Sequence, residues 1–153
     1  MKFYIAGPVG YGAPGKEWKE NIKSMLIRAG HEVWDPIEND ANYPRVNEMN
    51  EMKKNPKLHF KEIKDVMQGL FIDDCKFIEN CDFLICYFAN KSYGTISEQG
   101  IAYYISKLLK KKVKTLCVFH DSFFPDEWVL CCSDYVFSSI DKLEEFIKER
   151  FCR

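Results

Sequence analysis

Residues 81–102 read CDFLICYFANKSYGTISEQGIA, an apolar run followed by a short polar loop and a segment with helical spacing. Within the strand read over Cys81–Phe88, the run Phe83–Phe88 is apolar at consecutive rather than alternate positions, which suits a strand covered on both faces, and such strands belong to parallel sheets. The loop Ala89–Thr95 then leads into a helix predicted over Ile96–Lys110, so the stretch is one strand–helix unit.

The same alternation extends in both directions. Upstream, Lys2–Ala6 is a short apolar run that turns at Gly7-Pro8, and Lys16–Ala29 repeats Trp18, Ile22, Met25, Leu26 and Ala29 with helical spacing until Gly30 stops it. His31–Trp34 reads as a strand closed by Asp35-Pro36, Glu38–Pro56 as a long polar loop, and Leu58–Asn80 as a helix that Gly69 divides or kinks. Downstream, Lys114–Phe119 and Asp134–Phe137 read as strands, and Asp141–Phe151 as a closing helix capped by Ser139 or Asp141. Five such units fill the 153 residues. The expectation is a single α/β domain over 1–153, with a five-stranded parallel sheet flanked by helices on both faces as a three-layer sandwich. Ligands of such sheets bind outside the carboxyl ends of the strands, so Gly7–Gly15, Asp35–Pro56, Ala89–Thr95 and His120–Pro125 are expected to border one crevice.

Charge narrows the ligand. The 22 basic and 23 acidic side chains give a net charge of −1, which argues against a nucleic-acid polymer as partner and for a small molecule. No apolar run approaches the ~20 residues of a membrane span, and Met1–Gly7 turns too early for a signal peptide. Seven cysteines, an odd number with several in apolar strands, imply packed thiols and a reducing, cytoplasmic setting. His31, His59 and His120 are scattered and no CxxC pair occurs, so neither a metal site nor a cofactor is expected.

Two segments carry candidate chemistry. Gly7, Gly10, Gly12 and Gly15 make a loop whose amides could cradle a phosphate at the start of the following helix, or simply form a tight turn; neither GxGxxG nor GK[ST] is present. In 92–102, Thr95 or Ser97 is suited to cap the helix, which puts Glu98 in its first turn. There the helix dipole would keep its carboxylate ionised as a nucleophile, or Glu98 would complete a T-x-x-E capping box with Thr95. Asp73, Asp74 and Asp82 each offer a second acid, and Tyr4 on the first strand could orient one of the pair. Two carboxylates about 5 Å apart are what a retaining glycosyl transfer requires.

The combination of Phe3-Tyr4-Ile5-Ala6-Gly7-Pro8, Asp74 eight residues before Cys81-Asp82, and Gly94-Thr95-x-x-Glu98-x-Gly100-x-Ala102 resembles the nucleoside 2-deoxyribosyltransferase superfamily over nearly the whole chain. The resemblance implies a flavodoxin-like, Rossmann-like architecture and a homo-oligomer in which one subunit helps close its neighbour's site. It further implies that Glu98 attacks C1′ of the deoxyribose, that Tyr4 positions it, and that Asp74 exchanges a proton with the base. Transferases of the family usually carry an aspartate six residues before the nucleophile, whereas the 2′-deoxynucleoside 5′-monophosphate N-hydrolases carry serine, as Ser92 does here. The expected activity is therefore release of the base from a deoxynucleoside monophosphate, with Gly7, Pro8, Gly10, Ser92, Gly94 and Thr95 binding substrate. The alternatives are a base-exchanging transferase and a non-catalytic nucleotide-binding module in which Glu98 only caps a helix.

Two departures from the hydrolase pattern remain. Val9-Gly10-Tyr11 stands where the hydrolases place an arginine, and Asp126-Glu127-Trp128 where they place a serine lent by the neighbouring subunit. Asp126 could instead bind a free 5′-hydroxyl, which favours the transferase. Trp34 is read as core or as a stacking surface, Cys131-Cys132 as partly buried packing, and Lys110–Lys112 as the basic end of a helix.

Overall fold

The computed structural model describes residues 1–7, 17–36, 38, 46–89, 92–120 and 126–152. Its elements, in chain order, are β1 (Lys2–Ala6), α1 (Glu17–Arg28), β2 (Glu32–Trp34), α2 (Val46–Met52), α3 (Phe60–Asn80), β3 (Phe83–Phe88), α4 (Tyr93–Lys107), β4 (Lys114–Phe119), α5 (Glu127–Cys131), β5 (Tyr135–Phe137) and α6 (Ile140–Phe151). The five strands form one parallel sheet in the order β2-β1-β3-β4-β5, the flavodoxin-like arrangement.

Strand periodicity splits the core in two. On one face Tyr4, Ala6, Leu84, Cys86, Phe88, Cys117 and Phe119 pack under α3, α4 and α5. On the other, Phe3, Ile5, Ile85, Tyr87, Leu116 and Val118 meet Trp18, Ile22 and Leu26 of α1 and Leu143 and Ile147 of α6. Gly30 has φ of 81° and ends α1 in a Schellman turn, with its N–H donating to Ile27 O (2.9 Å) and that of His31 to Leu26 O (3.0 Å). Ser139 caps α6 by accepting from the Lys142 N–H.

Three expectations need correction. The polar stretch after Glu38 is not loop throughout, because Met49 of α2 packs with Ile63, Val66 and Leu70 of α3 as a small satellite core. Gly69 does not interrupt α3, which runs unbroken for 21 residues on the buried stripe Val66, Leu70 and Ile78. Between the loop read over His120–Pro125 and the strand expected from Asp134, where no element was expected, lies α5, a short helix that Asp126 caps by accepting from the Trp128 N–H at 2.9 Å. Among the described residues no helix is long and apolar enough to cross a membrane, and all seven cysteines are free thiols.

Candidate active site

Tyr4 lies at the middle of β1, fully buried on the face covered by α3 and α4. Helix α4 crosses that face on a stripe of Thr95, Gln99, Ala102 and Ile105, and Glu98, one position off the stripe, reaches β1 from its margin. The Tyr4 hydroxyl donates to Glu98 Oε1 at 2.7 Å. Helix α3 supplies Asp74 from the position between Leu70 and Ile78, four residues from each, so an acid interrupts an otherwise apolar stripe and turns toward the same hydroxyl.

The electrostatics follow from that convergence. Burial, then the charges of Glu98 and Asp74, and then hydrogen bonds to both carboxylates hold the Tyr4 hydroxyl far above the ordinary tyrosine range, so it stays a proton donor. On the same face of the sheet, burial, its register partner Cys117 and the Glu98 charge push the Cys86 thiol up, which keeps it neutral and unreactive. Two carboxyl groups acting on one hydroxyl form the kind of close pair that retaining glycosyl transfer uses.

Other expected site residues are distributed as follows. Glu98 is not a capping residue: α4 begins at Tyr93 with Ser92 as its cap, and the Thr95 N–H donates to Ser92 Oγ at 3.4 Å. Ser92 Oγ and Thr95 Oγ1 share a further hydrogen bond of 2.9 Å, which draws the helix start one turn earlier than the T-x-x-E pattern suggested and leaves Glu98 beyond the first turn. Gly94 falls within that first turn, and a Cβ there would meet nothing within 4 Å. Gly7 follows β1, where a Cβ would lie 2.6 Å from Trp18 Cζ2 and 3.3 Å from Tyr87 Cβ, so its glycine is dictated by packing of the α1 start. Pro8 and Gly10 lie outside the described residues. The rival acids are engaged elsewhere: Asp73 pairs with Lys76 at 2.8 Å, and Asp82 accepts from the Lys2 N–H at 2.8 Å at the amino end of the sheet.

Trp34 stacks on Phe77 with ring centroids 3.2 Å apart, at the edge of the α3 face. Helix α4 ends at Lys107, so Lys110–Lys112 do not form its last turn; Lys111 pairs with Glu79, and Lys110 takes a left-handed φ of 58°. Cys131 is exposed and Cys132 half-buried, their sulfurs 3.9 Å apart.

Two buried polar residues escaped the sequence reading. Lys19 sits in the α1 core stripe and forms an almost fully buried ion pair with Asp35 at 2.9 Å, at the carboxyl end of β2. Gln99, also almost fully buried, donates through Nε2 to Val129 O, Ser133 Oγ and Cys117 Sγ. The available signal for each was a polar residue at an apolar position of an amphipathic helix.

No protein-family model and no curated protein matches the sequence. Solved structures do match the fold. One is a 2-deoxyribosyltransferase from Bacillus psychrosaccharolyticus, with a TM-score of 0.65, 18% identity, and coverage of 94% of this chain and 90% of that one. Another is the CMP N-glycosidase BcmB of Clostridium botulinum, with a TM-score of 0.52, 16% identity, and coverage of 97% and 99% respectively. The chain thus shares the α/β fold of these two proteins over nearly its full length.

Proposed function

We propose that the protein cleaves the N-glycosidic bond of a 2′-deoxynucleoside 5′-monophosphate. Glu98 attacks C1′, the C1′–N bond breaks with its electron pair passing to the base, and Asp74 delivers a proton to the departing nitrogen. Water, deprotonated by Asp74, then attacks C1′ of the deoxyribosyl ester and releases Glu98 and deoxyribose 5-phosphate. The observation that carries this reading is the Tyr4 hydroxyl held between two carboxylates, with its proton committed to Glu98 at 2.7 Å.

Asp74, from α3, acts on the same hydroxyl, which places a second carboxyl group beside the nucleophile for the proton transfers. The fold shared with a deoxyribosyltransferase and a CMP N-glycosidase is in keeping with this chemistry.

Ser92 favours the monophosphate. Its hydroxyl brings no charge to the start of α4, and Asp126, the group that could have bound a free 5′-hydroxyl, is engaged as the α5 cap. We further infer a homo-oligomer. Phe71 of α3 and Ile96, Tyr103 and Tyr104 of α4 leave an apolar patch exposed on the layer that carries Glu98 and Asp74, and Gly100 among them leaves room for close approach of a second helix.

A panel of deoxynucleosides and their 5′-monophosphates, scored for free base with and without a second base, tests the reading. Base release from the monophosphates alone is expected. A new nucleoside formed from unphosphorylated substrate would establish the transferase instead, and tight binding without base release from any substrate would establish a non-catalytic module.

A further inference from the structure

We propose that Gln99 is a positioning residue for Glu98, fastening the turn of α4 that carries the nucleophile to β4 and α5; this rests on the reading of Glu98 as nucleophile. The Gln99 side chain is almost fully buried among apolar residues, and its amide N–H groups are shared among Val129 O at 2.8 Å, Ser133 Oγ at 3.0 Å and Cys117 Sγ at 3.1 Å. Ser133 Oγ itself donates to Val129 O at 2.8 Å, so the acceptors form one connected group.

Successive residues of a helix point about 100° apart, so Gln99 faces β4 and α5 while Glu98 faces β1. The two side chains grip one turn of α4 from two directions. Without the Gln99 clamp the turn is held in rotation on this side only by apolar packing, which is non-directional. A helix rotation of about 20° swings a carboxylate ~6 Å from the axis by roughly 2 Å, enough to break the bond to Tyr4. The clamp also reaches the strand next to the one that carries Cys86, since Cys117 lies in register with Cys86, whose thiol feels the Glu98 charge.

Folding alone does not call for an amide here. Leucine would continue the stripe of Thr95, Ala102 and Ile105 without the cost of desolvating a polar group, whereas the amide adds direction to the packing.

The test is Gln99→Leu, with kcat, KM, melting temperature and the ionisation of Glu98 followed by carboxyl-carbon NMR in full-length protein. The expected variant melts within a few degrees of the parent, keeps KM within about threefold and loses at least tenfold in kcat. Its Glu98 ionises at higher pH than in the parent, because the Tyr4 hydroxyl no longer favours the anion. A folded variant with parental Glu98 ionisation overturns the proposal, and so does parental kcat. Should the leucine chain fail to fold, Gln99→Met preserves the linear shape and carries the same measurements; failure of both to fold would make the amide a requirement of the fold and also overturn the proposal. The NMR titration needs no turnover, so it decides the positioning role even if no base is released. Retained base release by Glu98→Ala would instead count against the nucleophile.

Discussion

Tyr4 and Glu98, 94 positions apart in the chain, meet at 2.7 Å through the tyrosine's hydroxyl proton. Their meeting depends on two periodicities at once, the alternation of β1 that turns Tyr4 toward α3 and α4, and the pitch of α4 that sets Glu98 beside its buried stripe. Removing the hydroxyl tests the pair directly. Tyr4→Phe should keep the melting temperature within a few degrees, since the ring still fills its place, and should lower kcat about 10- to 100-fold, the range of one hydrogen bond to a charged group. The acid limb of the pH–rate profile should move upward, because a donor to the ionised form of Glu98 has been lost.

Stability should decline on the alkaline side. Burial, with the Asp82 charge adding to it, pushes the Cys81 thiol up from 9.0 to about 12, and Tyr4 and Cys86 are raised as well. The unfolded chain therefore gives up these protons before the native one does, so their contribution is intact below pH 9 and is lost as pH rises toward 12. Melting temperatures measured from pH 8 to 11 should fall, and Cys81→Ala should make the fall shallower.

The Lys19–Asp35 pair should behave as a unit. Each side chain is almost fully buried, so Asp35→Ala leaves an uncompensated ammonium and should cost about 3–5 kcal/mol by urea unfolding. Replacing both together, as Lys19→Met with Asp35→Leu, should restore most of that loss. Additive losses in the double variant would mean that neighbouring groups, rather than the partner, compensate each charge.

The apolar patch on α3 and α4 predicts self-association. Sedimentation should detect an oligomer, and Tyr104→Glu should shift it toward monomer. Loss of base release along with dissociation is expected if the neighbouring copy completes the site.

Much of this was legible in the sequence because the strands are short and apolar throughout: Lys2–Ala6 and Lys114–Phe119 form with the bounds their composition suggests. The meeting of Tyr4 with Glu98 was suggested by the family resemblance, whereas the residues alone left Asp73, Asp74 and Asp82 open as the second acid, because which acid faces the sheet depends on how α3 packs. What misled was local chemistry with two solutions. Ser92 and Thr95 are both good caps, and only the hydrogen bonds between them show that the helix begins at the earlier one. Helix α2 was hidden because its stability comes from Met49 meeting Val66 and Leu70 across a turn, a contact that its own seven residues do not announce. Gln99 and Lys19 were missed for a related reason, as the partners that make them tolerable in a core lie far along the chain.

Ser92 starts α4 by accepting from the Thr95 N–H. Serine and aspartate cap helices about equally well, so exchanging one for the other would keep the start of α4 while adding a negative charge there. Under the proposed function, the charge met by the substrate at this position could therefore change without compensating changes elsewhere in the chain.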